Sequence, residues 1–198
     1  MSEIVEPSHD AGFDRAAAVT RSLLGYGVLA GAFYVIVGVV QMLARDGFDA
    51  SRHALSLLAN GSSGWVQTVN FVVTGLMVLA AAVGLGRALR PARAAAILVG
   101  VYGASVISAG VFAADPADGV PGGPPPGSPD GTSVSGVLHL AAGGIGFVSL
   151  AAATATGTVG IVLLWLAALV SWTWLAVASI AIYRTVPHPD ADRRAMLP

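Results

Sequence analysis

For 53 residues, 131–183, this chain carries no Asp, Glu, Lys or Arg. Three more charge-free stretches precede that run, at 22–44, 53–86 and 94–114. A hydrocarbon layer about 30 Å thick is crossed by roughly 20 apolar helical residues, so the distance between charges acts as a ruler. The first and third of these earlier stretches hold one span each, 53–86 holds a span with a lead-in, and 131–183 is long enough for a helical hairpin. Composition agrees: 11% of residues are charged, where soluble domains carry about 25%, and the mean hydropathy is +0.75.

These observations predict an all-α, polytopic transmembrane helical bundle with spans at 22–44, 65–87, 93–113, 136–156 and 160–183. A polar leader (1–21) precedes the membrane domain (22–183) and a polar tail (184–198) follows it. The leader is acidic and polar ahead of the first apolar stretch, so that stretch reads as a retained helix and not a cleaved signal. Gly61 to Gly64, Pro91 and a proline-rich stretch supply the breaks between spans.

Charge sets the orientation. Arg87, Arg90 and Arg93 fall within one short connection, which by the positive-inside rule faces the cytoplasm. That places loops 45–64 and 114–135 on the outer side. Five spans would carry Arg184, Arg193 and Arg194 outside, against the same rule. The near-neutral net charge of −1 gives no electrostatic case for nucleic acid. Cysteine is absent, which removes thiol catalysis and disulfides. All ten basic residues are arginine, a bias that points to a GC-rich bacterial genome and so to a bacterial plasma membrane.

Polar residues inside apolar spans mark the candidate sites. Gly27 and Gly31 form a GxxxG pair, with Gly38 following, which reads as helix packing. Gln67, Asn70 and Thr74 share one face of the second span at i, i+3 and i+7, and the simplest reading is interhelical hydrogen bonding. In "FDASRHALSLLANG", Asp49 or Ser51 can cap a short helix ending at Asn60 and Gly61, with Asp49, Arg52, His53, Ser56 and Asn60 on its polar side. The apolar side, Ala54, Leu57 and Leu58, suits a helix lying in the membrane interface, and Trp65 fits an aromatic belt. The segment "ADPADGVPGGPPPGSP" holds six of the eleven prolines. It reads as a tether between spans or, given the low entropy of proline-rich backbone, as a lid over their outer ends. Asp115 at its entrance and His139 just inside the fourth span are expected to form a hydrogen-bonded pair, with His53 and Ser56 facing the same outer vestibule.

Taken together, "RHALSLLANGSSGWVQTVNFVVTGLMVLAAAVGLGRALR", "GVFAADPADGVPGGPPPG" and "SGVLHLAAGGIGF" resemble the bacterial membrane proteins grouped as domain of unknown function 998. The likeness resumes near "VSWTWLAVASIAIYRTVPHPDADRR". It implies a helical bundle of the inner membrane, usually with six spans, and matches Arg52, His53, Ser56, Trp65, Gln67, Asn70, Asp115, Pro116 and His139 to a recurrent polar pattern. It implies no reaction. Members of that family carry a basic connection and a further span between the equivalents of Leu150 and Val159; their loss here accounts for the misplaced C-terminal arginines.

Three function classes follow. The first is a non-catalytic accessory or lipid- or small-ligand-binding bundle, with Arg52, Trp65, Gln67 and Asn70 as ligand contacts and membrane lipids, a membrane-protein partner or a second copy as partners; no cofactor is needed. The second is a metal-dependent intramembrane hydrolase, in which His53, Asp115 and His139 supply a minimal zinc ligand set and Ser56 stands nearby. The third is a small transporter, although no acid or base occupies the middle of a span.

Overall fold

The computed structural model describes residues 14–89, 93–116, 132–154, 176–177 and 179–180. The chain divides into two compact units, Met1–Ala153 and Thr154–Pro198. Among the described residues the first unit is built from four long helices: α1 (Arg15–Ala44), α2 (Gly64–Ala88), α3 (Arg93–Val111) and α4 (Val134–Thr154). All four are long and apolar enough to cross a membrane. In the second unit, residues 176–177 and 179–180, within the expected fifth span, are helical; the rest of that span, the leader to residue 13, most of the proline-rich segment and the C-terminal tail lie outside the described residues.

Three of the helices keep close to their expected limits, and α1 starts earlier. Its first residue is Arg15, because the Asp14 carboxylate accepts from the amides of Ala16 (2.9 Å) and Ala17 (3.0 Å) and so satisfies two N–H groups that an uncapped helix leaves open. The ends of the apolar run mark the hydrocarbon boundary, not the end of the helix.

Successive helices run antiparallel. Leu23 lies against Gly84, Gly27 against Ala81 and Tyr34 against Phe71, which fixes the register of α1 on α2. Gly75 meets Gly103 and Ile107, and Gly110 meets Thr68 and Phe71, which fixes α2 on α3. Gly146 sits on Ser105 and Gly136 on Asp115 along α3 and α4. One end of the unit therefore carries the 45–63 loop and the Asp115 clasp, and the other carries the basic connection. At that second end, Arg87 Nε donates to Thr20 Oγ1 at 3.0 Å and ties α2 to α1.

Large apolar side chains cover the outside, Val28 (79% exposed), Leu43 and Leu140 among them. In water such a surface would drive association; in a bilayer it meets acyl chains. The GxxxG reading holds for only one of its glycines. Gly27 abuts Ala81 on α2, whereas nothing lies within 4 Å of a Cβ placed on Gly31.

The 45–63 loop departs from the expected interfacial helix. Asp49 Oδ1 accepts from the Ser51 amide (2.9 Å) and hydroxyl (2.7 Å), and its carbonyl accepts from His53 N (2.8 Å). This turn precedes a one-turn 3-10 helix, Leu55–Ala59. Leu57 and Leu58 are buried, Leu58 completely, and Leu55 packs on Gly38. The apolar stripe thus plugs the end of the bundle instead of resting on lipid headgroups. Arg45 holds the plug down: its guanidinium donates to the carbonyls of Leu58 (3.0 Å) and Asn60 (2.7 Å) and to Ser63 Oγ (2.6 Å).

Candidate functional site

A cleft of about 670 Å³ lies inside the first unit, lined by α1, α2, α3, α4 and the Ala54–Leu55–Ser56 tip of the plug. It exists because small residues stand where large ones would fill it: Gly27, Ala30 and Gly31 on α1, and Ala142, Gly143 and Gly146 on α4. α2 and α3 form its floor, with Phe71, Val78 and Val106. Val35 (54% exposed) on α1 and Phe147 (71% exposed) on α4 both line it and stay accessible, so among the described residues it opens sideways between those helices. From His139 to Leu150 along α4 it runs for roughly 16 Å at the helical rise. Among the described residues that line it none is Asp, Glu, Lys or Arg; their polar members are Tyr34, Ser56, Thr74, Tyr102, Ser105 and His139.

His139 is the best-defined of these. Its Nδ1 lies 2.9 Å from the Ala109 carbonyl oxygen and 2.8 Å from that of Phe112. Both partners are acceptors, so Nδ1 carries the hydrogen and, in the neutral ring, Nε2 keeps its lone pair. The Ala109 carbonyl belongs to the last turn of α3 and that of Phe112 lies just past its end, where no intrahelical amide reaches them. The Phe71 ring meets the imidazole edge-on, centroids 6.2 Å apart.

The expected Asp115–His139 pair is not made. Both Asp115 carboxylate oxygens are engaged by Ser133, one by its hydroxyl and the other by its amide at 3.0 Å. Ser133 Oγ in turn accepts from Gly136 N at 2.9 Å, capping α4, and Ser135 Oγ donates to Ala113 O at 2.9 Å. Asp115 is a clasp joining the entrance and exit of the α3–α4 connection. A side chain at position 136 would collide with it.

His53 stands apart from the cleft. Its Nδ1 accepts from the Asp49 amide at 3.0 Å and its ring meets Phe48 edge-on. The hydrogen therefore sits on Nε2, which is buried without a partner. Among the described residues no three His, Asp or Glu side chains come together as a metal site, so His53, Asp115 and His139 do not form the anticipated ligand set. Ser56 and His139 do share the cleft. No hydrogen bond between them is present, as a nucleophile and its base would have.

Gln67 and Asn70 serve the α1–α2 contact. Gln67 is fully buried and Asn70 is 1% exposed. Gln67 Oε1 accepts from Gln41 Nε2 at 2.7 Å and from Asn70 Nδ2 at 3.2 Å, and Asn70 Nδ2 also reaches the Tyr34 carbonyl at 3.2 Å. Only Thr74 of that polar face touches the cleft. Trp65 (67% exposed) points outward and Arg52 is exposed; neither lines the cleft.

Sequence reasoning missed Tyr34, Tyr102 and Ser105, hydroxyls set within otherwise apolar spans, and missed Arg45 as the anchor of the plug. Small residues recurring on α1 and α4 are the signal that could have found the cleft; Gly27 and Gly31 of α1 are read from the sequence as packing, and those of α4 are not singled out. A family model described as protein of unknown function (DUF998) matches residues 28–191. No curated protein and no solved structure matches the chain.

Proposed function

The chain belongs to the DUF998 family of proteins of unknown function, and from that premise we propose that it is a multi-pass protein of a bacterial plasma membrane that holds a lipid-like molecule in the α1–α4 cleft without transforming it. The cleft itself carries this reading. It lies at the depth of the spans, opens sideways, and is walled by apolar groups with a few hydroxyls and one imidazole, the usual make-up of a small-molecule site; its size falls within the common range of ~300–1,000 Å³.

Its bacterial setting is supported by the all-arginine basic composition. The cytoplasmic assignment of the Arg87–Arg93 end rests on the positive-inside rule. A membrane lipid is the partner that a side-opening cleft meets first.

The test uses cleft-filling variants that the fold tolerates. Nothing lies within 4 Å of a Cβ at Gly31 or Gly143, and both line the cleft. Gly31→Leu and Gly143→Leu, purified beside the wild type in lipid nanodiscs, are expected to fold and to lose a lipid that wild type retains through extensive exchange, as read by mass spectrometry of extracts. Equal retention by all three proteins would refute the proposal.

A further inference from the structure

If the cleft holds a lipid, as proposed above, its polar atoms specify which kind. Four observations combine. Among the described residues no charged side chain lines the cleft, so a phosphate, carboxylate or ammonium head would be desolvated against this lining with no counter-charge. The imidazole of His139 is locked as the Nδ1–H tautomer by two carbonyls at the end of α3, those of Ala109 and Phe112. In the neutral ring its Nε2 is therefore a hydrogen-bond acceptor, and no hydrogen bond to it from the described residues is present. Ser56, from the plug at the same end of the unit, adds a hydroxyl that both donates and accepts.

An occupant with only ester, ether or ketone oxygens would present acceptors to an acceptor. One with an O–H satisfies Nε2 and still accepts from a hydroxyl. We infer that the cleft selects an uncharged lipid alcohol, a long-chain alcohol or a diacylglycerol, whose hydroxyl donates to His139 Nε2 at the plug end while its chain runs along α4 toward Leu150.

The experiment compares three photoactivatable probes in phosphatidylcholine nanodiscs containing the full chain: a diazirine-bearing long-chain alcohol, its methyl ether and the corresponding carboxylic acid. Wild type is expected to be labelled about tenfold more by the alcohol than by either of the others, the discrimination that one unmatched buried polar contact produces. His139→Asn keeps a donor near the Nδ1 position and removes Nε2. It should lower labelling by the alcohol to the level of the ether and leave labelling by the ether unchanged. The wild-type comparison needs no variant, so the inference stays testable should His139→Asn fail to fold.

Equal wild-type labelling by alcohol and ether, or stronger labelling by the acid, with all of it abolished by Gly143→Leu, would overturn the headgroup inference and leave the lipid site standing. Labelling by all three probes that Gly143→Leu does not reduce would overturn both.

Discussion

Two identical substitutions, Gly75→Ala and Gly143→Ala, should differ in their effect on stability. Each adds one methyl to the interior of a membrane helix and gains about 1 kcal/mol in helix propensity. At Gly143 nothing else changes, since no atom lies within 4 Å of the new Cβ. At Gly75 the Cβ would stand 2.5 Å from Ile107 Cγ1 and 2.7 Å from the Gly103 carbonyl oxygen. The Ile107 Cγ1 sits next to the branch point of a side chain whose χ1 is restricted in a helix, so it yields little. The carbonyl belongs to α3's backbone and can retreat only if the two helices separate by several tenths of an ångström along a contact that is also tight from the Gly103 side, where a Cβ would stand 3.0 Å from Gly75 O. Overpacking of this kind costs about 1–3 kcal/mol. The propensity gain is common to both variants and cancels in their difference, so Gly75→Ala is expected to be less stable than Gly143→Ala by about 1–3 kcal/mol. Reversible unfolding in mixed detergent and SDS micelles, followed by far-ultraviolet circular dichroism, gives that difference directly. Gly75→Ala as stable as Gly143→Ala would mean that α2 and α3 do not cross at these glycines, and the floor of the cleft would have to be redrawn.

Asn70→Leu removes hydrogen bonds to Gln67 and the Tyr34 carbonyl; in the same unfolding assay it should cost about 1–2 kcal/mol, the range for interhelical polar contacts in membranes. Arg45→Lys cannot reach Leu58 O, Asn60 O and Ser63 Oγ together, and amide hydrogen exchange across 55–63 should quicken while that of α3 stays unchanged. The Ser51 hydroxyl, and then its amide, hold the Asp49 carboxyl below the ordinary carboxylate range. The turn's stabilisation by Asp49 is thus fully present above an unfolded pKa of about 3.9 and fades as pH falls through the lower folded value. Ser51→Ala should raise the Asp49 midpoint in a carboxyl-resolved NMR titration; an unchanged midpoint would contradict the turn.

How far the chain could be read depended on which force set each feature. Span positions were legible because desolvating a charge is so costly that charges delimit hydrocarbon crossing, and α2, α3 and α4 begin and end within two residues of the expected limits. The Gln67–Asn70 face was legible too, since amides at that spacing in an apolar helix must find partners. The plug was not: an amphipathic pattern such as that of Leu57 and Leu58 tells that a face is apolar and not whether it turns toward lipid or toward the bundle. Nor was the fate of Asp115 and His139. Each is satisfied by backbone or by Ser133, groups present everywhere along a sequence, and only the register of α3 on α4 selects them.

The Asp115–Ser133 clasp separates the geometry of the membrane helices from whatever lies between its two ends. With residues 115 and 133 held together, α3 and α4 keep their register irrespective of the length or identity of the intervening chain. That makes the stretch between them a natural insertion point, where a fluorescent protein or an epitope can be spliced without disturbing the register of α3 on α4, as segments with adjacent ends accept foreign domains.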